Sequence, residues 1–223
     1  MPKSKRKAVV KSKTPAKHTR AQPVSTKSKF GPQPVFFCDP DTSTEGGFLS
    51  PWYLSPFEVK SVKYLNSGQY ILAEKARIFD DKNTLQKILD ATAAEDLIAL
   101  GDSISNVDDK VWRRRAAYIA KKANMFKFSS NTPDLRKQLE ALGRRETVFA
   151  DPSDAFLGIG FGVDDAEDVC RSKWGANVFG KAVEVARKEL RIGPRDYADF
   201  DSGARFEEDE CVPQDRGGFL YVC

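Results

Sequence analysis

His18 is the only histidine of the chain, and it lies in a stretch rich in Lys, Ser, Thr and Pro with few large apolar groups. Such a stretch does not bury enough surface to offset its ordering entropy, so no imidazole is expected at a structured site. That excludes a Ser-His-Asp triad, a Cys-His pair and a histidine-ligated metal. Cys38, Cys170, Cys211 and Cys223 are widely separated, show no C-x-x-C spacing, and read as free thiols. Chemistry here has to rest on carboxylates, amides, lysines or arginines, and neither a cofactor nor a metal is expected. Gly158-Ile-Gly160-Phe161-Gly162 is superficially like a nucleotide loop. It lacks both the G-x-G-x-x-G spacing and a Gly-Lys-Ser/Thr ending, which rejects a Rossmann or P-loop reading.

Aromatic groups are the second resource. The stretch GGFLSPWYLSPF, from Gly46 to Phe57, holds Phe48, Trp52, Tyr53 and Phe57 between glycines and prolines. A loop this aromatic is ill suited to water and is expected to pack as a rigid wall, either of the core or of a ligand pocket. Trp112 heads an apolar stripe continued by Ala116, Ile119, Ala120 and Ala123 at helical spacing, with Arg113, Arg114, Lys121 and Lys122 mostly on the other face. On pattern alone a tryptophan so placed is a core residue.

The elements that must position these groups are mainly helical. An apolar run at Pro34-Val-Phe-Phe37 predicts a strand, and the spacing over Gly68–Phe79 predicts a helix. Asn83 is the expected cap of a helix through Leu85, Ile88 and Leu89, and Thr92 with Glu95 matches a capping box before Leu97. Thr132, Pro133 and Gly143 bracket another helix. Asp164–Trp174 and Val178–Ile192 complete the set, the latter capped by Asn177. The expected fold class is mainly α, an α+β domain with minor strands, spanning residues 35–192 as one compact unit.

Charge divides the chain. Residues 1–30 carry ten Lys or Arg and no acid, so of the net +4 the remainder holds 26 basic against 32 acidic residues, or −6. Residues 1–34 read as a disordered basic tail. Its Lys3, Lys5, Arg6 and Lys7 suit a nuclear address or a phosphate-binding arm, which makes nucleic acid a candidate partner, and suit a solubilising tail equally well. Residues 193–223 read as a loosely docked acidic tail, with eight Asp or Glu against three Arg from Pro194 onward. No apolar run approaches the roughly 20 residues of a membrane span, and the lysine-rich start has no apolar segment like a secretory signal. The expected location is the nucleus or cytoplasm, with no membrane partner.

Several separated blocks, in order, resemble the NADAR family. They are the Gly47–Phe57 loop, YLNSGQYILAEKA from Tyr64 to Ala76, Trp112, Lys127-Phe128 with Asn131, Asp151-Pro-Ser-Asp154 leading into Gly158-Ile-Gly160, and Trp174-Gly-Ala-Asn177-Val-Phe-Gly180-Lys181 with Arg187 beyond. The resemblance covers about Gly46 to Arg191. It implies a compact helical domain whose pocket accepts an ADP-ribose-like or nucleoside ligand. It also implies descent from N-glycosidases that cleave ribose from a base or amine, in riboflavin-pathway intermediates or ADP-ribosylated guanine. Cleavage of that kind passes through oxocarbenium character and needs negative charge beside the ribose, a positioned water and a platform for the leaving base. The family supplies a glutamate, an aspartate and a tryptophan, which fall here at Gly68, Asp154 and Trp112. Phe48, Ser50, Trp52, Tyr53, Gly68, Lys75, Trp174 and Asn177 are the ligand-contact positions so implied. Read without the resemblance, Asp154 is a turn cap after a proline, Asn177 an N-cap and Lys75 a solvated helix residue.

Gly68 is the main departure from the family pattern. Losing the carboxylate removes acid–base help typically worth about 10²–10⁴-fold. Glu74, six residues along, sits about 240° around the helix and does not replace it. Asp102, Phe149 and Leu157 stand where the family has an arginine, a glutamate and a tryptophan. Three functions follow as expectations: a binding protein that has lost catalysis, an active N-glycosyl hydrolase with Asp154 as principal carboxylate, or a nuclear nucleic-acid-associated module. Helix propensity alone makes Gly68→Glu neutral or stabilising, since glycine costs about 1 kcal/mol relative to alanine.

Overall fold

Alanines set the centre of the fold. In the computed structural model, which describes residues 32–40, 45–129 and 133–191, the stripe headed by Trp112 lies on helix α4 (Asp109–Ser129). Ala116, Ala120 and Ala123 are wholly buried on it. Helix α1 (Ser67–Ile78) turns Ala73 and Ala76, also wholly buried, inward. Helix α7 (Val178–Arg191) turns Ala182 and Ala186 inward, both buried. Small side chains let helix axes approach closely, and α4 packs chiefly against α7 and α1.

Short helices surround this trio: α2 (Lys82–Asp90), α3 (Ala94–Asp102), α5 (Pro133–Ala141) and the single turn α6 (Val163–Ala166). Among the described residues, four three-residue strands form two ribbons. Strands β2 (Phe57–Val59) and β3 (Val62–Tyr64) make an antiparallel hairpin directly before α1. Strands β1 (Val35–Phe37) and β4 (Thr147–Phe149) pair in parallel, Val35 opposite Thr147 and Phe37 opposite Phe149. Successive residues of a strand face opposite ways. Phe37 and Phe149 therefore enter the main core, while Phe36 and Val148 join a smaller cluster with Ala150, Ile159 and Ala166.

The strand at 35–37 and the helices of 67–78, 109–129 and 178–191 stand where the sequence places them. Some caps and one helix do not. Asp81, not Asn83, caps α2, its Oδ1 accepting from the Thr84 amide at 2.9 Å and its Oδ2 from the Ser105 amide at 2.9 Å. These bonds hold the carboxyl well below its usual range. Helix α3 starts from Ala93 with no side-chain cap, so the Thr92–Glu95 box is not formed. Between Asp164 and Trp174 only Ala166 is buried, and without an apolar face the helix ends after one turn. A 3-10 turn at Arg171–Lys173 follows. Gly143, past the end of α5, has φ +63°, while Thr132 and Asn131 lie outside the described residues, as do His18, Cys211 and Cys223. Cys38 is a free thiol, and burial with nearby Asp151 and Asp39 pushes it up to about 11.

Candidate functional site

The start of α1 is tied by a reciprocal cap. Asn66 Oδ1 accepts from the Gln69 amide at 2.8 Å, while Gln69 Oε1 accepts from the Leu65 amide at 2.7 Å. Gln69 Nε2 also donates to the carbonyls of Ile88 and Ala91 at the end of α2. The helix terminus is thereby fixed before the aromatic loop is laid on it. The Gly68 amide donates to the Pro51 carbonyl at 2.8 Å, and Ser67 Oγ donates to the same oxygen at 3.3 Å.

This seating brings the Trp52 indole against the α-carbon of Gly68. A β-carbon there would stand 2.4 and 2.6 Å from two ring atoms, closer than any non-bonded carbon pair tolerates. The space beside residue 68 is thus filled by a tryptophan ring, and the propensity argument for Gly68→Glu is overturned by packing. Phe149 and Leu157 belong to the same core as Trp52 and Trp112. Phe149 is stacked on Phe37 with ring centroids 5.5 Å apart. Gly68, Phe149 and Leu157, three of the four departures noted in the sequence, therefore lie in or against apolar packing.

Behind the loop sits Lys127, wholly buried. Its Nζ donates to the Ser50 carbonyl at 2.8 Å and stands 5.5 Å from the Tyr53 ring centroid. Burial pushes its ammonium from 10.5 down to about 7. The unfolded chain keeps this proton up to about pH 10 while the folded protein sheds it near 7, so unfolding takes up a proton throughout that window. Stability then rises with pH there, by at most about 1.4 kcal/mol per unit. Urea unfolding from pH 6 to 10 is expected to show this slope as the difference between wild type and Lys127→Met. The raised Cys38 thiol acts in the opposite sense but cancels in that difference. Parallel curves would mean that Lys127 carries no such proton. Lys127 continues the Trp112 stripe, four residues past Ala123 and seven past Ala120, so the helical period turns it inward; what periodicity does not give is its partner, the Ser50 carbonyl of the aromatic loop.

The second part of the site is the face of Trp112, which is 8% exposed. Lys75 Nζ lies 5.6 Å from its ring centroid and 3.4 Å from the Gly101 carbonyl, so Lys75 is half-buried and committed, not solvated. One residue along α4, the Arg113 guanidinium covers the Phe156 ring at 4.4 Å. Phe156 belongs to the loop of Asp154, whose Oδ1 accepts from the amides of Phe156 and Leu157 at 2.7 and 2.8 Å. Asp154 is half-buried and shapes its own turn with one oxygen. Lys75, the start of α4 and the Asp154 turn are in this way linked by contacts. Phe48 and Ser50 are buried behind the loop surface, Phe48 edge-on to Phe128.

Trp174 and Asn177 make their contacts on the β1–β4 ribbon. Trp174 packs edge-on to Phe36 in the smaller cluster across the β1–β4 ribbon. Asn177, with φ +51°, accepts from the Phe149 amide through Oδ1 and donates to the Thr147 carbonyl through Nδ2, both at 3.0 Å. Its side chain is spent on β4 and not on capping α7. No cluster of three or more metal-ligating side chains occurs among the described residues.

Fold and site define a compact α+β helical domain in which an aromatic loop closes over the start of one helix beside a tryptophan of another. The NADAR domain matches over residues 36–191, and the chain belongs to that family. An N-glycosidase of Acanthamoeba polyphaga mimivirus is 34% identical over 162 residues, covering 70% of this chain and 95% of that protein. Protein irg-1 of Caenorhabditis elegans is 30% identical over 161 residues, 64% of this chain and 74% of its own. Among solved structures, the E. coli protein YbiA shares the fold with TM-score 0.56 at 23% identity, covering 72% of this chain and 87% of that one. No helix of the described residues is long and apolar enough to cross a membrane.

Proposed function

We propose that this protein binds an ADP-ribose-like or modified-nucleoside ligand against the Trp112 face, on a scaffold inherited from N-glycosidases, and that it no longer cleaves the glycosidic bond. The observation that carries the reading is the Trp52 ring lodged against Gly68, where the family resemblance calls for the glutamate. The mimivirus relative's designation as an N-glycosidase supports the ancestry. Of the remaining groups, Trp112 offers a ring for a base, and Lys75 and Arg113 offer cations within reach of a diphosphate. Asp154 keeps one carboxylate oxygen beyond its two turn bonds, too little to replace the lost acid if that oxygen only orients a ribose hydroxyl.

Calorimetric titration with ADP-ribose is expected to show binding that weakens at least tenfold in Trp112→Ala. Turnover of ADP-ribosylated guanine DNA and of riboflavin-pathway intermediates is expected to stay at background. Turnover in the wild type that disappears in Asp154→Ala would replace this reading with an active hydrolase using Asp154.

A further inference from the structure

A groove of about 630 Å³ runs along the second half of α7 and the turn before β4, lined by Arg144, Glu184, Arg187, Lys188 and Arg191 among others. It carries four cationic side chains against one acid. Glu184 Oε1 accepts from the Thr147 amide at 2.9 Å, and its charge offsets one of the four cations. Arg144, Lys188 and Arg191 make no ion pair among the described residues, and each is exposed.

Arg187 is different. The residue is only 7% exposed, one guanidinium nitrogen, Nη2, donates to the Arg145 carbonyl at 2.7 Å, and the other, Nη1, is buried with no hydrogen-bond partner. Leaving a charged donor buried and unmatched costs more than an ordinary missing hydrogen bond, and native proteins rarely do so without a reason. Burial and the neighbouring Arg191 both press this guanidinium below its usual value, only partly countered by Glu184.

We propose that this groove is a binding site for a small phosphate-bearing anion, held by Arg187 from beneath and by Arg144, Lys188 and Arg191 from the rim. Planar guanidinium groups meet phosphate oxygens two at a time, and three arginines around one groove suit a ligand with several such oxygens and a charge of −2 or more. A lone carboxylate would use one of them. The volume falls within the range of small-molecule sites. The groove shares no lining residue with the Trp112 face, whose groups are Trp112, Lys75, Arg113 and Asp154. The proposal therefore stands or falls independently of the function proposed above.

The test uses the full chain, titrated with pyrophosphate, with glycerol 3-phosphate as an organic phosphomonoester, and with citrate, while the Arg187 side-chain Nε–H resonance is followed by NMR. Pyrophosphate is expected to shift that resonance saturably. Arg144→Gln/Lys188→Gln/Arg191→Gln is expected to weaken binding at least tenfold with unchanged thermal unfolding. Lys82→Gln/Lys87→Gln/Lys110→Gln, which removes equal charge from exposed positions on α2 and α4, is expected to stay within twofold of wild type. The relative affinities of the two phosphate compounds tell a free from an organic phosphate. An unmoved Arg187 resonance, equal losses in both triple variants, or citrate binding as tightly as pyrophosphate would each overturn the assignment.

Discussion

Gly68→Glu is expected to destabilise the protein by about 3 kcal/mol and to leave it without glycosidase turnover, because the new side chain must displace the Trp52 ring. Its β-carbon would overlap the Trp52 ring at 2.4 Å, and the ring is backed by a loop whose Pro51 carbonyl accepts from the Gly68 amide itself. Overpacking of this kind usually costs about 1–3 kcal/mol, and placing a carboxylate in an apolar contact adds to it. Trp52→Ala opens the space at the expense of lost burial. The two changes should therefore rescue each other: the double variant is expected to be more stable than the sum of the singles by about 2 kcal/mol. Urea unfolding of the four proteins measures the coupling. Additive losses would mean that the indole does not occupy the position beside residue 68. The double variant is also where glycosidase turnover should reappear, if filling of that space is what ended it.

A comparably large effect is expected at Gly175, for a different reason. Residues 175–179 run alongside residues 155–159, with Ala176, Val178 and Phe179 donating to the carbonyls of Ala155, Phe156 and Leu157, and Gly175 and Asn177 to those of Ile159 and Gly158. This strap holds the Asp154 turn against the start of α7. A β-carbon at residue 175 would lie 2.0 Å from the Ala155 carbonyl oxygen and 2.6 Å from its carbon. Backbone cannot step aside as a flexible side chain can. Gly175→Ala is expected to cost about 3 kcal/mol or more and to weaken any ligand contact made by Asp154. Gly162→Ala serves as the control, since the nearest atom there is 4.0 Å away. Equal thermal shifts in the two variants would show that the strap is not what confines residue 175.

Much of this architecture is legible from side-chain type and period. Trp112, Ala116, Ile119, Ala120 and Ala123 repeat at helical spacing because one face of α4 must be apolar to bury, and all five are buried. The same local physics marks β1, α1 and α7, and the order of the motif blocks identifies the family. Local pattern also locates the aromatic loop as a wall, since four large rings between glycines and prolines have to leave water. Caps are less readable. Asp81, Asn83, Thr92 and Asn177 are all good capping residues, and which of them meets a helix amide depends on where the chain enters the helix, a matter settled by packing several residues away.

Only the tertiary structure decides what Gly68 means. In sequence it is a missing carboxylate that a single substitution could restore. In space it is the one residue type that lets the Trp52 ring approach α1 this closely. Lys127 is a similar case: its four-carbon stem could reach solvent from many helix positions, and the Ser50 carbonyl that receives its amine lies 77 residues away along the chain. Periodicity describes a residue's own element, whereas these two roles are set by a loop arriving from elsewhere. Close packing makes such meetings all-or-none, so the consequence of a glycine or a buried lysine is fixed by the atoms facing it.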